Sequence, residues 1–307
     1  IKAALIAMVE EGMPANVAGE FLEIPTCTIS RWTTGAVDRK VRYIGRKNII
    51  EKWYTHLQGN GDKNNTGLVS LDGYLDTYND SLLEETHLAT DMLFMLFNNG
   101  VRLPYNPQPR DAYIFGANEG NGSLNSNFTM QFSGTPENTN VVDNVVPIVY
   151  YGKDDMMIAY SPALGRLFYT LGLRKGERKL QDVALPPDWI RGKEFVAEYL
   201  GALFDTIAGK NETSLGLTRS VNPKYSISLK KHVMALADMF MGLGIELTER
   251  GITYTKRKDI DSNLDEAKIW LKLSEENIRK IRENLRIRFK GSKEYLDQKI
   301  ERYRAKR

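Results

Sequence analysis

The segment Tyr113-Ile114-Phe115-Gly116-Ala117-Asn118-Glu119-Gly120-Asn121-Gly122-Ser123-Leu124 is echoed 86 residues later by Tyr199-Leu200-Gly201-Ala202-Leu203-Phe204-Asp205-Thr206-Ile207-Ala208. Related segments at a fixed spacing are the mark of a duplicated unit. Each copy is an apolar run with small residues inside it and an acid near its end. Gly and Ala leave no side chain between two helix backbones, so they permit close approach. The pattern therefore predicts two pseudo-symmetric halves joined along a tight helix pair, with Gly116, Gly120, Ala202 and Phe204 at the contact.

The residues after each copy predict a sheet. Phe128, Met130 and Phe132 alternate with Asn127, Thr129, Gln131 and Ser133, as in a half-buried strand with an uncharged hydrogen-bonding row outward. Residues 145–151 and 156–160 read as a hairpin, and 163–171 as a helix stopped by Gly172. In the second half, Leu215–Ser220 and Lys224–Lys230 are expected as strands joined at Asn222-Pro223. The latter would point Lys224, Ser226, Ser228 and Lys230 outward. A helix over 232–243 ends before Gly244, and Ile252–Lys258 is a further strand carrying Lys256 and Arg257.

Upstream, apolar spacing over 3–11 stops at Gly12, Pro14 opens a second helix (Ala15–Leu22), and Thr26 caps a third ending near Gly35. This order resembles a helix-turn-helix, with Thr26, Thr28, Ser30 and Arg31 facing base edges while Ile29 and Trp32 pack inward. A plain three-helix packing unit fits the same pattern. Arg39, Lys40 and Arg42 belong to a basic run suited to phosphate contacts or to a solvated linker. Residues 59–67 are turn-rich and polar, and 82–97 form a strongly apolar helix.

Charge is uneven. The net charge is +3, but residues 263–307 hold 14 Lys/Arg against 8 Asp/Glu, so one end is basic. That tail is expected as one or two helices broken at Gly291-Ser292, with Arg286, Arg288, Lys290, Lys293, Arg302 and Arg304 available to an anionic surface. One cysteine, Cys27, excludes an intrachain disulfide framework, and three histidines without ligand spacing argue against a zinc site. No apolar run reaches the roughly 20 residues of a membrane span. A soluble, intracellular protein, cytoplasmic or nucleoid-associated, is expected.

The duplicated order resembles the LAGLIDADG homing endonucleases. It is carried by the two motifs above, by Pro187-Asp188-Trp189-Ile190, and by the endings Leu171-Gly172-Leu173 and Leu243-Gly244-Ile245. The resemblance implies an α+β fold, a duplicated αββαβ saddle over double-stranded DNA, in a monomer with an internal pseudo-twofold axis. The expected divisions are 1–58 (helix-turn-helix), 59–109 (linker and buried helix), 110–190 and 191–262 (the two repeats), and 263–307 (basic helical extension). Base-reading side chains would be Asn127, Thr129, Gln131, Arg219, Lys224, Ser226, Ser228, Lys230, Lys256 and Arg257.

In that family the second acidic position of each motif holds divalent metal beside the scissile phosphate. Here those positions are Asn121 and Ile207, while Glu119 and Asp205 occupy the first position. The expectation is a sequence-specific DNA-binding protein, suited to transcriptional control, that needs no cofactor and has lost cleavage. Glu119 and Asp205 then cap helices or accept backbone hydrogen bonds. Three alternatives remain: an active endonuclease holding Mg2+ on Glu119 or Asp205, a maturase-like RNA-binding protein, and an interaction protein that touches no nucleic acid.

Overall fold

A computed structural model describes residues 15–21, 54–55, 67–77, 93, 95–97, 100–133, 148–151, 156–159, 162–177, 180–258 and 263–305. The chain divides into two units, one ending at Asn106 and one beginning at Pro107. In the first, α1 (Ala15–Phe21) occupies the segment expected as the second N-terminal helix. The remaining helix-turn-helix residues, Thr26, Thr28, Ser30, Arg31, Arg39, Lys40 and Arg42 among them, lie outside the described residues. A short α2 (Leu71–Leu75) is capped by Ser70, whose Oγ accepts from Gly73 N at 3.0 Å. Val69 and Tyr105 pair as an antiparallel bridge, and Tyr54 Oη accepts from Leu103 N at 2.9 Å.

The second unit is built around α3 (Pro109–Asn121) and α5 (Lys193–Ile207), the two motif helices. Pro109 pre-sets the first turn of α3, and Asp111 Oδ2 accepts from Gln108 N at 2.6 Å, closing its N-terminus. The two helices pack so closely that a Cβ on Gly116 would stand 2.7 Å from Tyr199 O. One on Gly120 would stand 1.8 Å from Thr206 Oγ1. Ala202 and Phe204 are fully buried on the facing helix.

Each motif helix runs straight into a four-stranded antiparallel sheet. The first holds β1 (Gly122–Leu124), β2 (Met130–Ser133), β3 (Ile148–Tyr151) and β4 (Met156–Ala159), in the order β1-β2-β4-β3. The second holds β5 (Ala208–Lys210), β6 (Leu215–Val221), β7 (Leu247–Lys258) and β8 (Asn263–Leu271), in the order β5-β6-β8-β7. The strand order is the same in both, but the helices are threaded differently. In the first half α4 (Pro162–Thr170) follows β4; in the second α6 (Ser226–Gly242) separates β6 from β7. Gly172 (φ 106°) and Gly244 (φ 74°) take the left-handed conformation that ends α4 and α6.

Trp189, in the segment before α5, ties these parts together. Its Nε1 donates to Leu171 O at 2.9 Å, and its ring meets Phe115 edge-on at 5.6 Å. The end of α4 and the middle of α3 are thereby held to one point.

Three expectations are corrected. Residues 224–230 are not a strand: Asn222 Oδ1 accepts from Lys224 N, a 3-10 turn spans Pro223–Tyr225, and α6 begins at Ser226. The short alternation there loses to a longer helical stripe, Leu229, Val233, Leu236, Ala237 and Phe240, all buried. Ile227, expected inward, is exposed. Next, the basic tail starts as β8, where Ala267, Ile269 and Leu271 are buried between half-buried Glu266, Lys268 and Trp270. The charges at Asp265, Glu266 and Lys268 give the segment a helix-compatible composition that masks its period of two. Finally, the tail is broken at 285–289, between α7 (Glu275–Asn284) and α8 (Lys290–Arg304), and α8 runs through Gly291-Ser292. Ser292 is buried there, and Arg286 N donates to Ala197 O on α5 at 3.1 Å.

Candidate nucleic-acid interface and the feet of the motif helices

The acids at the ends of α3 and α5 are held by each other's helix. Tyr113 Oη donates to Asp205 Oδ2 at 2.7 Å, and Tyr199 Oη donates to Glu119 Oε2. Tyrosines and acids are both 86 residues apart, so each motif supplies the donor for the other's carboxylate. Burial pushes the Tyr113 hydroxyl far upward and the Tyr199 hydroxyl likewise, with Asp205 and Glu119 adding to the respective shifts. Both phenols therefore stay protonated, as donors must.

Asp205 carries more than one bond. Its Oδ2 also accepts from Arg288 N at 2.8 Å and Phe289 N at 3.2 Å. These are the two residues that lead into α8, so this carboxylate docks the C-terminal segment on α5. Burial raises the Asp205 carboxyl pKa, against the lowering effect of the Arg288 amide. Arg288 lies over the Tyr113 ring at 4.2 Å and donates to Glu198 Oε2 at 2.6 Å. A Cβ on Gly201 would sit 2.7 Å from Arg286 O, so this glycine admits the same segment. Asn121 ends α3 exposed, and Ile207 ends α5 half-buried.

The pleat decides which side chains a passing ligand meets. In the second sheet Leu217, Ala267 and Ile269 are buried on the face where α6 packs. Thr218, Ser220, Lys268, Trp270, Thr253 and Thr255 alternate with that set and form the opposite, open face. On it, Trp270 Nε1 donates to Thr253 Oγ1 at 2.8 Å and Lys268 Nζ sits 3.8 Å from the Trp270 ring centroid. Ser220 Oγ donates to Glu266 Oε2 at 3.3 Å. In the first sheet Ser123 and Gln131 are opposite each other and hydrogen-bonded at 3.0 Å, alternating with buried Leu124, Met130 and Phe132.

Sequence-predicted readers divide accordingly. Gln131 falls on the open row. Asn127 is exposed in a turn before β2, while Thr129 is buried, because Phe128 adopts φ 59° and the strand starts only at Met130. Arg219 points to the helix side, where it donates to Glu119 O at the end of α3. Ser226 starts α6, and Ser228 Oγ accepts from Val183 N at 3.0 Å. Lys224 faces the Tyr225 ring at the 3-10 turn, 5.5 Å from its centroid. Lys230, Lys256 and Tyr254 line a cavity of about 330 Å3 beside the start of α6. Arg257 pairs with Leu264 in β7. Lys268 and Trp270 lie on β8, in a segment expected as helix, and their signal is the alternation from Glu266 to Leu271. Thr218 and Thr253 lie on the expected strands β6 and β7 but were not among the expected readers.

In the tail, Arg288 and Arg302 are committed to Glu198 and Glu212, and Lys290 to Glu294. Arg286 and Arg304 are exposed.

His232 is buried in α6 with Nδ1 2.6 Å from Ala184 O, a carbonyl that can only accept, so Nδ1 carries the proton. Burial, reinforced by Arg219, lowers its pKa to about 4 from the usual 6.5, with Glu119 acting in the opposite direction. A depressed folded pKa means that the unfolded chain takes up the proton first. The contribution is complete above about pH 6.5 and is lost as pH falls toward about 4, about 3 kcal/mol in all. Urea denaturation at pH 7 and 4.5 should show that loss in the native protein and a smaller one in His232→Asn. Equal losses would remove His232 as the cause.

These features define a two-sheet unit whose motif helices meet at locked acids and whose sheets present polar open rows. No family model and no curated protein matches the chain. Among solved structures it is similar to the homing endonuclease I-DmoI in complex with DNA and calcium, with 12% identity and a TM-score of 0.39 over 62% of this chain and 97% of that one. It is also similar to mesophilic variants of I-DmoI, with 13% identity and a TM-score of 0.37 over 59% and 97%. A third likeness is to an I-DmoI variant with nicked target DNA and manganese, with 13% identity and a TM-score of 0.34 over 54% and 89%. No helix among the described residues is long and apolar enough to cross a membrane.

Proposed function

We propose that this protein binds double-stranded DNA on a LAGLIDADG-type scaffold and leaves it uncut. The observation that carries the proposal is an open polar row on sheets joined by motif helices whose acids are already engaged. Thr218, Thr253, Lys268 and Trp270 in one sheet, with Ser123 and Gln131 in the other, supply donors, acceptors, a cation and an aromatic plane. Such groups suit base edges and phosphates in a major groove. The N-terminal helix-turn-helix expected from the sequence would add a second reading element, and recognition without cutting would suit a role such as transcriptional control.

Divalent metal needs hard oxygen ligands, commonly carboxylates. Asn121 offers an amide oxygen and Ile207 none, while Asp205 Oδ2 already accepts three hydrogen bonds. The residues do not fit the metal pair of the family's cleavage chemistry. Duplexes selected from a random pool should be retained with and without Mg2+ and run intact on a denaturing gel. Magnesium-dependent cutting at a defined site would overturn the proposal in its second half; absence of salt-sensitive duplex affinity would overturn the first.

A further inference from the structure

The outer side of α6 carries three large apolar residues at intervals of seven: Ile227 (71% exposed), Met234 (56%) and Met241 (51%). At about 100° per residue they form one stripe about 21 Å long. Single exposed apolar side chains are ordinary, whereas a seam at this spacing on one helix matches helix-on-helix packing. Lys231 and Asp238, both exposed, stand on the same flank of the stripe. Among the described residues, neither holds an ion pair in its own chain.

The order of those charges selects the occupant. Lys231 lies three residues before Met234 and Asp238 four after it. A twofold axis through Met234 lays a second α6 antiparallel on the first. It sets Lys231 of each copy against Asp238 of the other, and Ile227 against Met241. In a parallel pair the same flank falls on opposite sides of the seam in the two copies, so Lys231 and Asp238 would find no partner in each other. We propose that α6 is a self-association surface and that two copies of this chain pair antiparallel across Met234.

Self-association through α6 is independent of DNA binding. It differs from the monomer expected from the sequence and has a geometric consequence. α6 packs on the sheet face opposite Thr218, Lys268 and Trp270, so pairing leaves both open faces free. A dimer of this form presents two reading surfaces.

One helix pair covers less than the roughly 1,000 Å2 of a stable interface, so the association should be micromolar. Sedimentation equilibrium of the full chain from about 1 to about 100 µM should therefore show a mass rising from monomer toward dimer. Met234→Glu should weaken association at least tenfold, about the effect of placing two carboxylates at the crossing. Lys231→Asp and Asp238→Lys alone should each weaken it about tenfold, since each turns two attractive contacts repulsive. Combined, they should restore it to within about threefold. Circular dichroism of each variant checks that α6 still folds. A monomer at every concentration overturns the proposal. So does association untouched by Met234→Glu, or a double reversal as weak as the single ones.

Discussion

Asp205→Ala should destabilise the protein by about 4 kcal/mol, while Asp205→Asn should cost about 1 kcal/mol. The alanine leaves three donors without an acceptor: the Tyr113 hydroxyl and the backbone amides of Arg288 and Phe289. Tyr113 is completely buried, so water cannot take the place of the carboxylate there. Asn keeps one oxygen for the same donors and carries no charge, which suits a site whose burial already opposes ionisation. Urea denaturation of the three proteins separates the cases. If Asp205 were an idle relic of a catalytic site, the two substitutions would be equally mild, and the docking role assigned to it would fail. Because the lost bonds join α5 to the segment before α8, amide exchange in α8 should accelerate in Asp205→Ala before that in β8 does.

The second large effect belongs to the open face of the second sheet. Lys268→Glu should weaken duplex binding about 30-fold at low salt and reduce the slope of log affinity against log salt by about one. Trp270→Ala should weaken it about tenfold, with less change in slope, because the indole acts by contact and carries no charge. Lys230→Glu, on the helix side beside Tyr254, should change affinity less than about twofold. Filter binding across a salt series reads all three. Equal losses at Lys268 and Lys230 would mean that the pleat does not select the DNA face.

Much of the framework was legible because it is local. The small residues at Gly116, Gly120 and Ala202 predict close helix approach whatever the rest of the chain does, since a missing side chain is a property of the residue itself. Gly172 and Gly244 stop helices for a similar reason: only glycine takes positive φ without a steric cost. The segment 224–230 was not legible. Its alternation spans seven residues, while the Asx-capped turn at Asn222-Pro223 and the stripe from Leu229 to Phe240 favour a helix. β8 was missed because, although β7 lies just before it, the strand on its other edge, β6, comes from before α6, and pairing on both edges overrides a charged, helix-compatible composition. Arg219 was placed among readers by residue type, but its position opposite Ala267 turns it inward to Glu119 O.

By itself the sequence determined that two apolar, small-residue segments would form helices able to meet, and that Asn121 and Ile207 stand at their feet without carboxylates. Only the tertiary structure decided what the remaining acids do. A carboxylate's role depends on the donors around it. Those of Asp205 come from 92, 83 and 84 residues away, and that of Glu119 from 80. No spacing along the chain encodes such distances. They arise when α3 and α5 pack without side chains between them, bringing each tyrosine within hydrogen-bonding reach of the other helix's acid.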